Sequence, residues 1–245
     1  MKRNVSIIIA ALNEQELIES TVLDIQKSCC DYLDHYELIL VNDGSADNTG
    51  IIMEELCKRL QFIKVIHHPH KSGLGIALQS GLKIAQFEHT MLLCGDGGLP
   101  GESLPPIFNK IGEADLVIPH MGNMKKIKTP FRYLLSRTYT MILNILFWQN
   151  LKYYNGLPVY KTEQLKAINV VSRGFAFQAE IVTKLLKSGC TYVEVETNGA
   201  EKTNRSTAVN FAGFYEIAKI LLVLVWEVFV FKPVKPTVVK SDVAT

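Results

Sequence analysis

Several features that mark large classes of protein are missing from this chain of 245 residues. It has no run of lysine and arginine long enough to follow a nucleic-acid backbone, and its net charge is only +2. The five cysteines are an odd number without metal-site spacing, and the adjacent pair Cys29 and Cys30 is poorly placed for a disulfide. We therefore expect no nucleic-acid partner, reduced thiols and a cytoplasmic protein.

Long hydrophobic runs are also missing. The apolar run at 7–12 is too short for a signal peptide, and the run at 220–231 is interrupted by Glu227. Crossing a bilayer takes about 20 mostly apolar residues, so we do not predict a transmembrane helix. Two interpretations of the segment 213–233 stay open. It is either a buried helix that docks on the domain or a helix that lies in the membrane surface.

Familiar catalytic motifs are missing too. We find no Ser-His-Asp pattern, no Cys-x-x-Cys pair and no Walker loop in the sequence. The three histidines His67, His68 and His70 flank a proline at a strand end and lack the spacing of a zinc site. We expect no metal role for them.

What the chain does have is a regular alternation of strand and helix patterns. Strands are predicted near 5–10, 36–42, 62–67, 90–94, 115–119, 156–160 and 191–196, and helices near 14–31, 48–60, 75–86, 102–112, 129–149 and 175–188. Such alternation predicts an α/β fold with a mostly parallel sheet covered by helices on both faces. Hydrophobic residues make up 48% of the chain, enough for a packed core. We assign residues 1–210 to one domain, 211–232 to an apolar helix and 233–245 to a disordered tail.

Polar residues follow the first two predicted strands. Ala11-Leu12-Asn13-Glu14 ends the first strand, and the run from Asn42 to Thr49 ends the second. Ligands of open α/β sheets bind at the carboxyl ends of the strands. We therefore expect Glu14 and Asp43 on one rim, with Asp43 accepting hydrogen bonds from a ligand. A glycine-rich loop, Lys71-Ser72-Gly73-Leu74-Gly75, precedes a later helix and would allow close approach to a phosphate.

A family resemblance is carried by strings in a fixed order: SIIIAALNEQE, LILVNDGSADNT, KSGLGIALQSGLKIA, LLCGDGGLPGESLPPI, FRYLLSRTY, YYNGLPVYK and FAFQAEIVTKLLKSG. Together they resemble the family-2 inverting glycosyltransferases, which have the GT-A fold. Members similar to dolichyl-phosphate mannose synthase are the nearest group. The resemblance covers about residues 4–205 and implies a nucleotide-sugar donor, UDP- or GDP-linked.

The resemblance also implies a divalent cation, Mg²⁺ or Mn²⁺, bound after the fourth strand. The family usually has Asp-x-Asp there. Asp96 stands at the second position, while Cys94 replaces the first aspartate. Asp96 is thus the expected metal ligand and catalytic residue, with metal binding that is weak without nucleotide.

Other site residues also follow from the resemblance. Arg132 is expected near the phosphates, and Glu180 is expected to point toward the cleft as a general base or to position the acceptor. The expected donor-binding residues are Ala11, Leu12, Glu14, Asp43, Ser45, Lys71, Gly73 and Arg205.

The expected activity is inverting transfer of a sugar to a polyprenyl phosphate or to a cell-surface glycan, with peripheral contact to the cytoplasmic membrane face. Two alternatives stay open. Cys94 in place of the first aspartate fits a degenerate domain that binds nucleotide or glycan without turnover. A nucleotidyltransferase would need a Gly-rich turn after the first strand, which Ala10–Glu14 does not supply.

Overall fold

The computed structural model describes residues 2–172 and 176–200. The apolar segment, the tail and the candidate residue Arg205 lie outside these residues. The strands are β1 (Asn4–Ala11), β2 (His35–Asn42), β3 (Ile63–His67), β4 (His89–Cys94), β5 (Leu116–Met121), β6 (Val159–Lys161) and β7 (Tyr192–Thr197). The helices are α1 (Ile18–Tyr32), α2 (Thr49–Arg59), α3 (Leu74–Ile84), α4 (Pro105–Phe108), α5 (Met124–Ile127), α6 (Pro130–Phe147), α7 (Thr162–Lys166) and α8 (Phe177–Lys187).

The seven strands form one sheet in the order β3-β2-β1-β4-β6-β5-β7. The pairs of β1 with β2, β1 with β4, β2 with β3 and β5 with β7 are parallel. Only the short β6 runs antiparallel to its neighbours, β4 and β5. The predicted mostly parallel α/β fold is therefore confirmed, and the carboxyl ends of the six other strands lie at the same edge of the sheet.

Side chains of the central strand β1 alternate between two cores, one on each face of the sheet. Ile7 and Ile9 pack with residues of α1 and α2, whereas Ile8 and Ala10 pack with residues of α3, α6 and α8. All four are buried. A strand buried on both faces has a nearly continuous apolar sequence, as β1 does here apart from Asn4 and Ser6.

The helix predicted near 102–112 is much shorter than expected. A 3-10 turn at Gly101–Ser103 leads into α4, which has four residues. Pro105 and Pro106 supply no backbone N–H, so they suit only the first turn of a helix. Gly112 has a φ of 95°, which is incompatible with a continuing right-handed helix.

His89, at the start of β4, makes stability depend on pH. Its side chain is 2% exposed, and burial lowers the pKa of its imidazole despite the opposing effect of Glu88. The unfolded chain takes up a proton near pH 6.5 that the native state resists, so the free energy of unfolding falls as pH drops below about 6.5. His120 acts in the same direction, because burial also lowers its pKa.

We expect His89→Leu to reduce this slope, measured by urea unfolding between about pH 7.5 and 5.5. His70→Gln, which removes an imidazole from an exposed position, is the matched control. An unaltered slope in the His89 variant would contradict the assignment.

Candidate functional site

Three loops meet at one edge of the sheet because β1 lies between β2 and β4. Ala11 is paired with Asn42 and Ala10 with Cys94, so the three strands end level with one another. Backbone bonds extend the pairing by one residue. The Asp43 N–H donates to the Ala11 carbonyl at 2.9 Å, and the Gly95 N–H donates to the Ala10 carbonyl at 2.8 Å. The loops that carry Glu14, Asp43 and Asp96 therefore start side by side.

Reciprocal hydrogen bonds hold the first two loops together. Asn13 has a left-handed backbone with a φ of 58°, and its N–H donates to Ser45 Oγ at 3.0 Å. Its side-chain Oδ1 accepts from the Ala46 N–H at 2.8 Å. Asparagine tolerates this backbone region better than most residues, which explains its place between Leu12 and Glu14. The Glu14 N–H donates to Thr49 Oγ1 at 2.8 Å.

A small cavity of about 200 Å³ lies beside this junction, lined by Asn13, Glu14, Gln15, Glu16, Leu17 and Asp47. Burial would raise the pKa of the Asp47 carboxyl, but hydrogen bonds from Thr49 and Gln15 hold it below its usual value. Sites for drug-sized ligands typically have about 300–1,000 Å³, so this acidic cavity is too small for a whole nucleotide sugar.

Asp43 anchors the glycine-rich loop to the rim. Its Oδ1 accepts from the Ser72 N–H at 2.9 Å, and its Oδ2 accepts from the Gly73 N–H at 2.8 Å. Its side chain is 8% exposed. The carboxylate thereby fixes the glycine-rich loop at the start of α3, where Gly73 has a φ of 94°. A left-handed φ of this size favours glycine, which explains why position 73 is a glycine.

A second set of contacts on Asp43 was not expected from the sequence. His68 Nδ1 lies 2.8 Å from Asp43 Oδ1, and His68 Nε2 lies 2.9 Å from Ser80 Oγ. The structure thus joins an aspartate, a histidine and a serine in one hydrogen-bonded chain, although no such pattern is visible in the sequence. The three residues come from the loop after β2, the loop after β3 and helix α3. The signal that could have found the contact is the position of His68 directly after β3, the neighbour of β2.

Asp96 lies in a turn after β4 between two glycines. Its Oδ1 accepts from the Gly98 N–H at 2.9 Å, and the residue is partly exposed at the rim. Across residues 2–172 and 176–200, no three His, Cys, Asp or Glu side chains come together as metal ligands. A hard cation at Asp96 would therefore need most of its oxygen ligands from a bound diphosphate and water. The residues fit Mg²⁺ or Mn²⁺ in that limited sense.

The loops after β5 and β7 reach the same edge. The Gly199 N–H donates to Asn123 Oδ1 at 3.0 Å, and Asn123 Nδ2 donates to the Gly199 carbonyl at 2.8 Å. The Ala200 N–H donates to the Gly98 carbonyl at 3.2 Å. The chain that continues toward Arg205 therefore leaves from beside the Asp96 turn.

Arg132 lies in the first turn of α6, which follows the carboxyl end of β5. Thr129 caps this helix by accepting from the Arg132 N–H at 3.4 Å. The side chain of Arg132 is partly exposed, and that of Lys71 is exposed. Arg132 thus lies eleven residues beyond Met121, the last residue of β5.

The Glu180 side chain is 1% exposed and does not stand open in a cleft. Its carboxylate accepts from the N–H groups of Val171 and Ser172 at 2.9 and 2.8 Å and from Lys184 Nζ at 2.6 Å. Burial would raise its pKa, but these hydrogen bonds outweigh burial and lower it. Its geometry is that of a loop anchor. The spacing of Glu180 and Lys184, four residues apart on a helix, is the sequence signal for the ion pair.

Comparisons with known proteins agree with this architecture. A family model described as glycosyl transferase family 2 matches residues 6–186. Undecaprenyl-phosphate mannosyltransferase of Micrococcus luteus is 26% identical over 205 residues, which cover 80% of this chain and 83% of the relative. The expected similarity to polyprenyl-phosphate sugar transferases is thereby confirmed.

Two solved structures share the fold. Glucosyl-3-phosphoglycerate synthase from Mycobacterium tuberculosis, solved with UDP, has a TM-score of 0.67 and 18% identity, and the match covers 92% of this chain and 79% of that chain. TarS from S. aureus, solved with UDP-GlcNAc, has a TM-score of 0.60 and 19% identity, with coverage of 92% and 67%. The fold is thus of the GT-A type. Because the family model matches residues 6–186, which are most of the chain, the chain belongs to glycosyl transferase family 2.

Proposed function

We propose that this protein transfers a sugar from a UDP- or GDP-linked donor to a polyprenyl phosphate, with inversion at the sugar carbon and with help from Mg²⁺ or Mn²⁺. The observation that carries the proposal is the meeting of the Asp43 and Asp96 loops at one edge of the sheet. Ligands of open α/β folds bind at this edge.

The donor nucleoside would lie against the ends of β1 and β2. Ala11, Leu12, Glu14 and Ser45 would line its pocket, and Asp43 would face the base or ribose. The Ser72 and Gly73 N–H groups already donate to Asp43, so they are poor candidates for diphosphate donors. Lys71, exposed on the same loop, supplies a charge for the diphosphate instead.

The diphosphate would lie near Asp96, Arg132 and Arg205. A cation held by Asp96 supplies Lewis-acid stabilisation of the leaving diphosphate when it is bound. Arg132 and Arg205 add positive charge that stays fixed while negative charge develops on the leaving group. The exit of the chain beside Gly98, at Ala200, supports the proximity of Arg205 to Asp96.

A polyprenyl phosphate suits this site because it needs no general base. The phosphate acceptor is an anion at neutral pH, so orientation and charge neutralisation suffice for a single displacement. Glu180 is committed to the Val171, Ser172 and Lys184 contacts, and we assign it to loop positioning. The Micrococcus luteus relative, named for an undecaprenyl-phosphate acceptor, supports the lipid acceptor over a surface glycan. A lipid acceptor would bring the reaction to a membrane surface, which we propose to be the cytoplasmic face.

A second function is favoured by one observation. Cys94 stands where the family's first metal-binding aspartate is expected, and no three-ligand cluster forms in the described part of the chain. A domain that binds a nucleotide sugar without turnover fits this loss.

Calorimetry with UDP and GDP, each with and without Mn²⁺, tests the proposal. We expect one of them to bind, and to bind more tightly with Mn²⁺, while ADP, with the same diphosphate and another base, binds weakly. Transfer to a polyprenyl phosphate with an inverted anomer, assigned by NMR, would complete the test. Binding without transfer would favour the degenerate domain, and no binding of either nucleotide would contradict both functions.

A further inference from the structure

Helix α6 carries an apolar face that is largely exposed in the described part of the chain, although Lys187 Nζ lies 5.4 Å from the centre of the Trp148 ring. Its large side chains are between 37% and 83% exposed: Phe131, Leu134, Met141, Ile142, Ile145 and Trp148, the last directly after the helix. At 3.6 residues per turn these positions fall within an arc of about 120°. An apolar stripe of that width normally faces a packing partner. On the opposite side, Thr140, Leu143 and Phe147 are buried against the domain.

We propose that the chain's own segment 213–231 docks on this face of α6. The segment is the most apolar stretch of the sequence, with only Glu216, Lys219 and Glu227 as charged residues. A helix of 19 residues would be about 28 Å long, and α6, with 18 residues, is about 27 Å long. The two lengths match, so one segment could cover the whole stripe.

The end of the described chain lies in the right place for this docking. Gly199 is held by two hydrogen bonds to Asn123, the residue that precedes α5, and α5 leads directly into α6. The chain therefore departs beside the start of α6. Residues 201–212 are mostly polar, and twelve extended residues reach about 40 Å, enough to bring the segment to either end of the helix.

Coverage by the chain itself also fits the exposure of the stripe. Monomeric soluble proteins rarely expose contiguous apolar patches above a few hundred Å². Local concentration favours an attached segment over a second molecule, because a short linker holds its partner at an effective millimolar concentration. A bilayer and a second copy of the chain remain as competing occupants for the test.

The chain's two tryptophans make the test direct. One is Trp148 on the stripe, and the other is Trp226 in the segment, so Trp226→Phe leaves Trp148 as the single reporter. In the Trp226→Phe variant of the 245-residue chain we expect a blue-shifted Trp148 emission and several-fold lower quenching by acrylamide than for a fully exposed tryptophan. Both should hold without lipid and at every protein concentration.

A matched pair of variants tests whether residues 213–231 are the segment that shields Trp148. Adding Leu221→Asp and Val223→Asp, about 200° apart on a helix, brings a charge into any docking face. We expect these changes to expose Trp148, whereas Val238→Asp with Val239→Asp, beyond Pro233, should leave it protected. Thermal unfolding shows whether each variant still folds.

A photo-crosslinker at Ile145 in the otherwise unaltered chain gives a second readout that needs no destabilising change. Crosslinks within one chain to residues 213–231 are expected. The proposal is overturned by an exposed Trp148 in the 245-residue chain, by crosslinks and protection that grow with protein concentration, or by protection that appears only with anionic vesicles. None of these readouts depends on glycosyl transfer.

Discussion

Replacing Asp96 by asparagine will remove the Mn²⁺-dependent part of nucleotide binding and lower turnover by about a thousandfold, since a neutral amide is a poor ligand for a hard cation. The asparagine Oδ1 can still accept from the Gly98 N–H, which is 2.9 Å from the aspartate oxygen. We therefore expect the free energy of unfolding to change by less than about 0.5 kcal/mol. Calorimetry with and without Mn²⁺, a transfer assay and urea unfolding measure the three effects.

Two further variants test this prediction, one as a control and one by adding a second carboxylate. Asp31→Asn removes a carboxylate from an exposed position of α1 and should change none of the three measurements. Cys94→Asp, at the end of β4, restores a second carboxylate two residues before Asp96 and should strengthen Mn²⁺ binding without nucleotide. Full Mn²⁺-dependent activity in Asp96→Asn would show that the cation, if used, is held elsewhere.

The fold was predictable because its strands have a clear apolar sequence pattern. The run Val5 to Ile9 is β-branched apart from one serine, and Leu38 to Val41 is an unbroken apolar run, so both strands fall within two residues of the prediction. The prediction of a helix near 102–112 was wrong because it rested on apolar spacing alone. Pro105 and Pro106 suit only the first turn of a helix, so α4 begins at Pro105 and not near residue 102. Local periodicity reports burial, and it does not report where a backbone must turn.

The site was predictable only in part, for a different reason. Topology alone brings Glu14, Asp43 and Asp96 to one edge, so strand order and residue type are enough to group them. The partners of Asp43 are separated from it by 25 and 30 residues, as the His68 and Gly73 contacts show. Such contacts depend on how loops fold over the rim, which periodicity does not encode.

Glu180 also shows that the sequence pattern does not reveal which loop a side chain contacts. A carboxylate among apolar helix residues suggests a cleft, but loop amides can satisfy it equally well. Here the Val171 and Ser172 N–H groups do so. Only the three-dimensional path of the loop before α8 distinguishes the two cases.

Replacing Asp43 by alanine will destabilise the protein by about 3 kcal/mol and weaken nucleotide binding at least tenfold. The change leaves the Ser72 and Gly73 N–H groups and the His68 ring without their acceptor. Removing the acceptor of a buried donor costs about 1–3 kcal/mol per group, reduced here wherever water can enter. Without the anchor, the loop at the start of α3 loses its fixed position beside the donor.

Two measurements separate the anchoring role of Asp43 from direct contact with the donor. Hydrogen exchange at the Ser72 and Gly73 amides should speed up in Asp43→Ala, because these amides are the ones that donate to the carboxylate. Ser80→Ala is the matched control, since it breaks only the far link of the chain, between Ser80 and His68. It should leave both exchange and nucleotide affinity close to those of the unaltered protein. If Asp43→Ala loosens the loop but keeps its nucleotide affinity, Asp43 is an anchor alone and the donor base is held by other residues of the rim. If neither property changes, Asp43 neither anchors the loop nor contacts the donor, and both roles are wrong.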